Sequence, residues 1–268
     1  MHKKILTVSL LAIAVIAAVI AGCTGTPSAD PGNPGGNGIA NGKIIVGIDE
    51  KYPPYTYLDK NGVPGGFDVE SMKWIATDQG LDYEFKTVEW NSMLQALLDK
   101  KIDLIYSGMS VTPERAEKVA FSEVYWVTNE GVAVKHNSPV TMDDVKTGKV
   151  IIGVPRASTT ADWVKENLVN TGILSSARLE LFDDFPSALA ALESGRIEAA
   201  IYDTPTVIDS IEGKDFDFLG TIETGEKYAV AVRKDDTELL GKINAGLINL
   251  KASPRWNELV TEYKLSKR

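Results

Sequence analysis

Strand and helix patterns alternate along this chain from residue 43 onward, and this alternation restricts the fold more than any other feature. Short apolar runs are typical of buried strands, and apolar side chains at helical spacing are typical of helices packed on a sheet. The first half gives, in order, strand 44–48, helix 69–76, strand 83–88, helix 91–100, strand 102–106 and a helix start at Thr112-Pro113. This order predicts an α/β unit with a mostly parallel sheet covered by helices.

The second half repeats the pattern as a second α/β unit. It gives strands 125–135 and 150–154, helix 159–168, strand 179–182, helix 185–194, strand 199–202, helix 204–211, strand 228–233 and helices 238–251 and 255–263. Sheets of this kind bind ligands beyond the carboxyl ends of their strands. Two such units facing each other predict a binding site in the cleft between them.

The first 42 residues have a different character. Residues 5–20 form an uncharged apolar run behind a cationic start, and this run is shorter than the ~20 residues that a membrane-spanning helix needs. It ends in Ile20-Ala21-Gly22-Cys23, which resembles a lipobox. We expect residues 1–22 to be a cleaved signal peptide and Cys23 to carry the lipid, the alternative being an uncleaved membrane anchor. Residues 23–42, rich in Gly and Pro, are expected to be a flexible tether.

The composition excludes several classes of protein. The formal net charge of −9 opposes binding to nucleic acid, which needs a cationic surface. The chain has two histidines and one cysteine. His2 lies in the predicted signal peptide, His136 is expected in a solvated loop, and Cys23 is the lipidation site. The common Ser-His-Asp and Cys-His arrangements therefore cannot be assembled, and no zinc spacing is present. We expect no metal and no cofactor.

A series of short motifs carries a family resemblance. The motifs are GIDEKYPPY at 47–55, GGFDVE at 65–70, WN at 90–91, IDLIYSGMSVTPER at 102–115 and YDTP at 202–205. In this order and spacing the chain resembles the polar amino-acid-binding proteins of ABC importers, solute-binding protein family 3, over residues 43 to about 265.

The resemblance implies a two-lobed α/β fold, the type II or Venus-flytrap periplasmic-binding-protein fold, with two hinge strands. It places residues 43–126 and 229–268 in a discontinuous first lobe. Residues 127–228 form the second lobe.

A free amino acid is a zwitterion, so its carboxylate needs a cationic partner. By the resemblance this partner is Arg115, whose planar guanidinium can grip a carboxylate with two parallel N–H bonds. Ser158 and Thr159 begin a helix of the second lobe, where backbone N–H groups suit an anion. The family usually has glycine before the hydroxyl residue, and this chain has Ala157 there. The alternative for Arg115 is an ordinary surface arginine.

The ammonium group of the ligand needs an anion. The resemblance assigns this role to Asp203, assisted by the Ser110 hydroxyl and the Gly108 carbonyl, and Ser107 of the same motif belongs to the expected site. Asp203 also follows a buried strand and precedes Thr204-Pro205, so the alternative is that its side chain caps a helix.

The side chain of the ligand is expected between two aromatic residues, Tyr52 and Trp90, with Asp49 near its distal polar group. An anion between aromatic faces suits a cationic side chain. Pro155 stands where glutamine-binding relatives carry lysine. We therefore expect arginine, lysine or ornithine, ahead of glutamine and other neutral amino acids. Arg156, if it turned into the pocket, would favour an acidic or amide ligand.

These expectations describe a monomeric lipoprotein that binds a free amino acid and is not an enzyme. Its partners are an ABC permease with its ATPase, and the membrane through its lipid. We expect it on the outer face of the cell membrane, in the periplasm where there are two membranes. The alternatives are an enzyme on the same fold, of the cyclohexadienyl dehydratase type, and a receptor sensor module.

Overall fold

A computed structural model of the chain describes residues 42–265, so the predicted signal peptide, the predicted lipidation site Cys23 and nearly all of the predicted tether lie outside the described residues. The strands are β1 Ile44–Ile48, β2 Lys51–Tyr52, β3 Thr56–Leu58, β4 Pro64–Gly65, β5 Tyr83–Thr87, β6 Leu104–Ile105, β7 Ala120–Phe121, β8 Trp126–Lys135, β9 Ile152–Pro155, β10 Leu179–Phe182, β11 Ala199–Asp203, β12 Phe216–Tyr228 and β13 Ala231–Val232.

The helices cover the faces of two sheets. They are α1 Phe67–Gln79, α2 Trp90–Leu98, α3 Pro113–Ala116, α4 Met142–Lys146, α5 Thr159–Val164 with a π-helical turn Lys165–Val169, α6 Phe185–Ser194, α7 Thr204–Ile211, α8 Thr237–Ala252 and α9 Pro254–Glu262. Trp90, expected just before a helix, is the first residue of α2. Within residues 42–265, no helix is both long enough and apolar enough to span a membrane.

The sheets confirm the mixed α/β architecture with two lobes. The first lobe contains the strand order β5-β1-β6-β13-β7 and the second the order β10-β9-β11-β8-β12, while β2, β3 and β4 form a small separate sheet. In each large sheet the first three strands are parallel and the last two pairings are antiparallel. Only β13 in the first sheet and β8 in the second run opposite to the other strands of their sheet, so the expectation of mostly parallel sheets is confirmed for strand direction. The antiparallel strands come from segments by which the chain passes between the lobes.

The chain passes between the two large sheets twice. It leaves the first sheet after β7 to enter β8 of the second sheet, and it returns after β12 to enter β13 of the first. Where the chain returns, Ser110 forms an isolated antiparallel bridge with Tyr228, the last residue of β12. Residues on β8 and β12 therefore lie at the junction of the two lobes.

Helix α6 shows why its predicted limits match the structure. The Asp184 carboxylate accepts a hydrogen bond from the Ser187 N–H at 2.8 Å and caps the helix start. At the other end, Gly195 has φ 76°, a left-handed conformation that favours glycine. Between them, Phe185, Ala188 and Leu192 are buried in the core. A cap, an apolar face and a terminal glycine all indicate the same helix.

Candidate functional site

Helix α3 brings Arg115 to the cleft between the lobes. Thr112 caps this helix, and its Oγ1 accepts a hydrogen bond from the Arg115 backbone N–H at 3.2 Å. The Arg115 guanidinium donates to the Ser110 carbonyl at 3.0 Å and, across the cleft, to the Ala157 carbonyl at 3.3 Å. Its carbon lies 5.4 Å from the centre of the Trp90 ring, a cation–π contact. Burial lowers the pKa of Arg115, with nearby acids acting in the opposite direction.

Acidic side chains near Arg115 do not pair with it. Within residues 42–265, the Arg115 guanidinium forms no ion pair, and the hydrogen bonds it donates go to carbonyl oxygens. Arg233 is different, since it forms ion pairs with Asp103 at 2.8 Å and Asp236 at 2.7 Å. The guanidinium of Arg115 is therefore a cation at the cleft without an anion bound directly to it.

The hydroxyl residues of the second lobe have two different roles. The Ser158 Oγ accepts the Ala161 N–H at 3.0 Å and donates to the Pro155 carbonyl at 2.6 Å, so it serves as the cap of α5. The Thr159 Oγ1 lies 3.4 Å from the Ser110 Oγ of the first lobe. The structure brings Thr159 and Ser110 together across the cleft, whereas the Ser158 hydroxyl is used within its own helix.

Asp203 ends β11 and is the N-cap residue of α7, but its side chain makes no capping hydrogen bond. Instead, its Oδ2 accepts a hydrogen bond from the Tyr52 hydroxyl at 2.7 Å. Its Oδ1 has no hydrogen-bond partner, although the residue is only 4% exposed. Burial, and then the negative charge of Glu226, raise the pKa of Asp203 well above its usual value.

Two further acids stand beside Asp203, and the sequence did not identify either of them. Glu130 on β8 is the cross-strand partner of Asp203 on β11, and Glu226 lies on the neighbouring β12. We call these three residues the carboxylate trio, and one carboxylate oxygen from each of them lies within 4.8 Å of one oxygen from each of the others. The available signal for Glu130 was an acidic residue directly before the apolar run GVAV at 131–134. Glu226 gave no such signal.

The trio is linked to both lobes by hydroxyl groups. Glu226 Oε1 accepts hydrogen bonds from the Ser110 and Thr159 hydroxyls. The Thr160 hydroxyl donates to Glu130 Oε2 at 2.9 Å. Glu130 is 1% exposed, and burial together with the Asp203 charge raises its pKa well above its usual value. Glu130, Asp203 and Glu226 therefore place three carboxyl groups side by side in the cleft.

The two expected aromatic platforms have different surroundings. Tyr52 is buried, its ring stacks on Tyr55 at 5.2 Å, and its hydroxyl lies 2.6 Å from the Tyr228 hydroxyl. Trp90 is half-buried, and its Nε1–H donates to the Ala157 carbonyl at 3.1 Å. Among the described residues the two rings do not contact each other. Tyr52 therefore orients Asp203, while Trp90 lies under Arg115.

Asp49 lies beyond the end of β1 and is 8% exposed. Its Oδ1 accepts the Lys51 N–H at 3.0 Å, and its own N–H donates to the Ser107 Oγ at 3.0 Å. Burial raises the pKa of Asp49 to about 6. The Lys51 ammonium pairs with Asp184 of the second lobe at 2.8 Å rather than with Asp49. The Asp49 carboxylate therefore has no basic side chain bound to it within residues 42–265.

Gly108 positions the loop between β6 and α3. It has φ 58°, and its N–H donates to Asp68 Oδ2 at 2.7 Å. The Tyr125 hydroxyl donates to the same oxygen at 2.8 Å. Burial raises the pKa of Asp68 to about 8. The Asp68 carboxyl group therefore fixes the backbone at Gly108, just after β6 and just before Ser110.

Two basic residues that were uncertain in the sequence lie on the surface. Arg156 pairs with Asp183 at 3.0 Å, and its side chain is half exposed. His136 lies 2.9 Å from the Asp217 carboxylate, also at an exposed position. The expectation of a solvated loop histidine is confirmed.

Comparisons with known proteins give one consistent family. The family described as bacterial extracellular solute-binding proteins, family 3, matches residues 44–266. The L-cystine-binding protein TcyJ of Escherichia coli (strain K12) is 28% identical over 217 residues, covering 78% of this chain and 77% of TcyJ. An ancestral arginine-binding protein bound to arginine superposes with a TM-score of 0.75 at 30% identity, covering 83% of this chain and 98% of that one.

A third relative is the ancestral amino acid-binding protein AncCDT-1, described as a precursor of cyclohexadienyl dehydratase. It superposes with a TM-score of 0.72 at 28% identity, covering 84% of this chain and 96% of its own. The two solved structures share the fold of this chain along nearly their whole length.

Proposed function

Because this chain belongs to family 3 of the bacterial extracellular solute-binding proteins, we propose that its cleft binds both charged ends of a free amino acid. At the level of the family, the chain is an amino-acid-binding solute-binding protein of the ABC transporter type. In the proposed complex, Arg115 holds the ligand carboxylate and Asp203 holds its ammonium group. We take residues 43–126 with 229–268 as one lobe, and 127–228 as the other.

One observation carries the proposal. The cleft contains a guanidinium without an ion-pair partner among the described residues, and a buried carboxylate with one oxygen that accepts no hydrogen bond. Buried charges are normally paired, because removing them from water is costly. A zwitterion satisfies both groups at once. Ser110 and Thr159 already hold a carboxylate oxygen, that of Glu226, so hydroxyl donors suited to a carboxylate stand at the same place.

Calorimetry on single substitutions tests this assignment, using the free amino acid that raises the melting temperature most in a screen. We expect Arg115→Ala and Asp203→Asn each to cost ~2–5 kcal/mol of binding free energy, about 30-fold to a few thousand-fold in affinity. Arg115→Lys should also bind poorly, since an ammonium cannot form the two parallel bonds. Arg156→Ala, which removes an exposed guanidinium of the second lobe, is the matched control. Near wild-type affinity in the two cleft variants would reject the assignment.

The finer identity of the ligand is also proposed. Asp49 is a buried carboxylate without a basic partner among the described residues, which favours a ligand with a cationic side chain: arginine, lysine or ornithine, ahead of glutamine. Arg156 pairs with Asp183 outside the cleft, so it does not oppose such a cation. The ancestral relative bound to arginine supports the same choice.

The location and partners of the protein follow from the sequence features outside the described residues. We propose that Cys23 carries a lipid that holds the protein at the outer face of the cell membrane, and that residues 24–42 let the folded part move beside an ABC permease. The lipobox-like Ile20-Ala21-Gly22-Cys23 supports the anchor, and the family match supports an extracytoplasmic location.

The alternative function is an enzyme on the same scaffold. The alternative is supported by a relative described as a precursor of cyclohexadienyl dehydratase, although that relative is itself described as an amino acid-binding protein. Incubation with prephenate or arogenate separates the two functions. Formation of an aromatic product would assign an enzyme, and we expect none.

A further inference from the structure

The carboxylate trio of Glu130, Asp203 and Glu226 has more negative charge than the proposed amino-acid site needs. One oxygen from each residue lies within 4.8 Å of one from each of the others, and the residues belong to three adjacent strands. Like charges this close in a buried site repel strongly, because little water screens them. A single carboxylate would suffice to pair with one ammonium group, so the other two require an explanation.

The groups around the trio do not neutralise it. The charged and titratable side chains that face it are Arg115 from α3, Tyr52 from β2, Tyr202 from β11 and Tyr228 from β12. Burial, with the charge of Asp203 among the further causes, raises the pKa of each tyrosine well above its usual value, so these residues remain neutral donors. Arg115 supplies one positive charge without forming an ion pair to any of the three acids. The fully ionised trio is therefore short of positive charge.

An independent observation shows where a positive charge belongs. Asp203 Oδ1 is buried and accepts no hydrogen bond, and Glu226 Oε2 is also without a partner. Both are oxygens of the trio, whose members converge on one point. The hydroxyls of Ser110, Thr159 and Thr160 donate to other oxygens of the trio. The trio therefore lacks a hydrogen-bond donor to these oxygens, which either a proton on one of the acids or a positively charged group can supply.

We propose that the trio is a single cation-binding unit in which a shared proton is replaced by the ammonium group of the ligand. Ligand binding then releases a proton. This inference rests on the proposed function, since the ammonium group is that of the amino acid. In the ligand-free protein, one acid keeps its proton and donates it to a neighbouring carboxylate. When the ligand enters, its N–H groups take over these hydrogen bonds and the proton leaves to water.

A divalent metal ion fits the same oxygens less well. Calcium takes six to eight oxygen ligands, and magnesium usually keeps several waters. The neighbouring hydroxyls donate to the carboxylates rather than offering free oxygens, and the Arg115 guanidinium opposes a doubly charged ion. A singly charged occupant satisfies the site with fewer ligands. The test below includes the metal as an outcome that would overturn the proposal.

Calorimetry in several buffers measures the proton directly. The observed enthalpy of amino-acid binding, plotted against the ionisation enthalpy of the buffer, has a slope whose magnitude is the number of protons exchanged and whose sign is negative when protons are released to the buffer. We expect about one proton per ligand in mildly acidic buffer, and an affinity that falls about tenfold per pH unit as the pH drops. At higher pH the trio is already ionised, so both the release and the pH dependence should disappear. A slope of zero throughout would overturn the proposal.

Glu226→Gln is the informative variant. Its amide N–H₂ can donate permanently to the unpartnered Asp203 oxygen, so it imitates the protonated trio and has no proton to release. Asp49, whose pKa is raised to about 6, would also release a proton to a cationic ligand, so the comparison is made with Asp49→Asn present in both proteins. There we expect a slope near zero and an affinity that no longer depends on pH. Glu223 lies on the same strand at an exposed position, so Glu223→Gln is the matched control and should behave as wild type. A wild-type slope in Glu226→Gln would show that the proton comes from elsewhere.

Infrared spectroscopy of the ligand-free protein provides a readout that does not need any ligand. We expect the carbonyl stretching band of a buried protonated carboxyl group, reduced in Glu226→Gln. Asp68, a buried acid whose pKa is raised to about 8, contributes to the same band in both proteins. If no amino acid binds, the proposed function fails, and the difference in band intensity between wild type and Glu226→Gln decides whether the trio holds a proton. A rise in melting temperature with Ca²⁺, Mg²⁺ or Mn²⁺ that is lost in Glu226→Gln would instead assign a metal site and overturn the inference.

Discussion

Asp49 illustrates how a single residue can direct the choice of ligand. It is buried beyond the end of β1, and its backbone N–H and one carboxylate oxygen are fixed by Ser107 and Lys51. Its position is therefore set before any ligand arrives. Because burial raises the pKa of Asp49 to about 6, a cationic ligand group that pairs with it should lower that pKa again.

We expect Asp49→Asn to weaken arginine binding much more than glutamine binding. The reason is that only arginine loses an ion pair, at a cost of ~1.5–3 kcal/mol, or about 10- to 150-fold in affinity. Competition binding with arginine, lysine, glutamine and glutamate gives the ranking directly. Asp183→Asn, at an exposed position, is the control. Preferred binding of glutamate or glutamine, with Asp49→Asn harmless, would show that the pocket has the opposite polarity.

At the residue scale, the sequence identified side chains that belong to ordered motifs. Arg115 and Asp203 were found because the residues around them form recognisable series. Glu226 was missed because its position depends on which strands pair. It faces Asp203 only because β12 pairs with β8 and β8 pairs with β11. The residues next to Glu226 in the sequence do not determine which distant strands pair.

At the scale of elements, local signals decided which predictions succeeded. The limits of α6 and α7 were predicted at both ends, since caps, prolines and glycine mark them. Strand β12 was predicted only from residue 228 onward, although it begins at Phe216. It is rich in polar residues, and its register shifts twice against β8, so the alternation of apolar side chains is lost.

The loop between β6 and α3 depends on Gly108. A methyl group added at this glycine would lie 2.4 Å from Cε1 of Tyr52, the residue that orients Asp203. We expect Gly108→Ala to displace Tyr52, to lower the free energy of unfolding and to reduce ligand affinity at least tenfold. Urea denaturation and calorimetry measure the two effects.

Gly80→Ala is a matched control for that variant. Gly80 has φ 62° and nothing within 4 Å of an added methyl group, so only the backbone cost of ~1–2 kcal/mol remains. Both variants should therefore lose stability, but only Gly108→Ala should lose affinity. If the two variants bind the ligand equally well, the contact between Tyr52 and Gly108 does not contribute to ligand affinity.

At the scale of the whole molecule, contacts across the cleft hold the two lobes together. Lys51 pairs with Asp184, while Trp90 and Arg115 both donate to the Ala157 carbonyl. Ala157 has φ 55°, an uncommon conformation for alanine, which turns this carbonyl toward the first lobe. The same side chains that are expected to bind the ligand thus also contribute to closure.

The lipid anchor is tested on the full chain. We expect Cys23→Ser to release the protein from membranes while its melting temperature stays the same, because Cys23 lies before the folded part. Fractionation of cells and mass spectrometry of the mature protein provide the measurement. Wild-type protein without a covalent lipid would reject the anchor.

Strand β12 contributes Glu226 to the cleft and then continues into the first sheet through β13. In the proposed complex, the strand that takes part in recognition is therefore also a strand by which the lobes are joined. We expect a substitution on it that changes which amino acid is preferred to change the balance between open and closed forms as well. Under this proposal, specificity and the mechanics of opening are expected to change together at this strand during evolution.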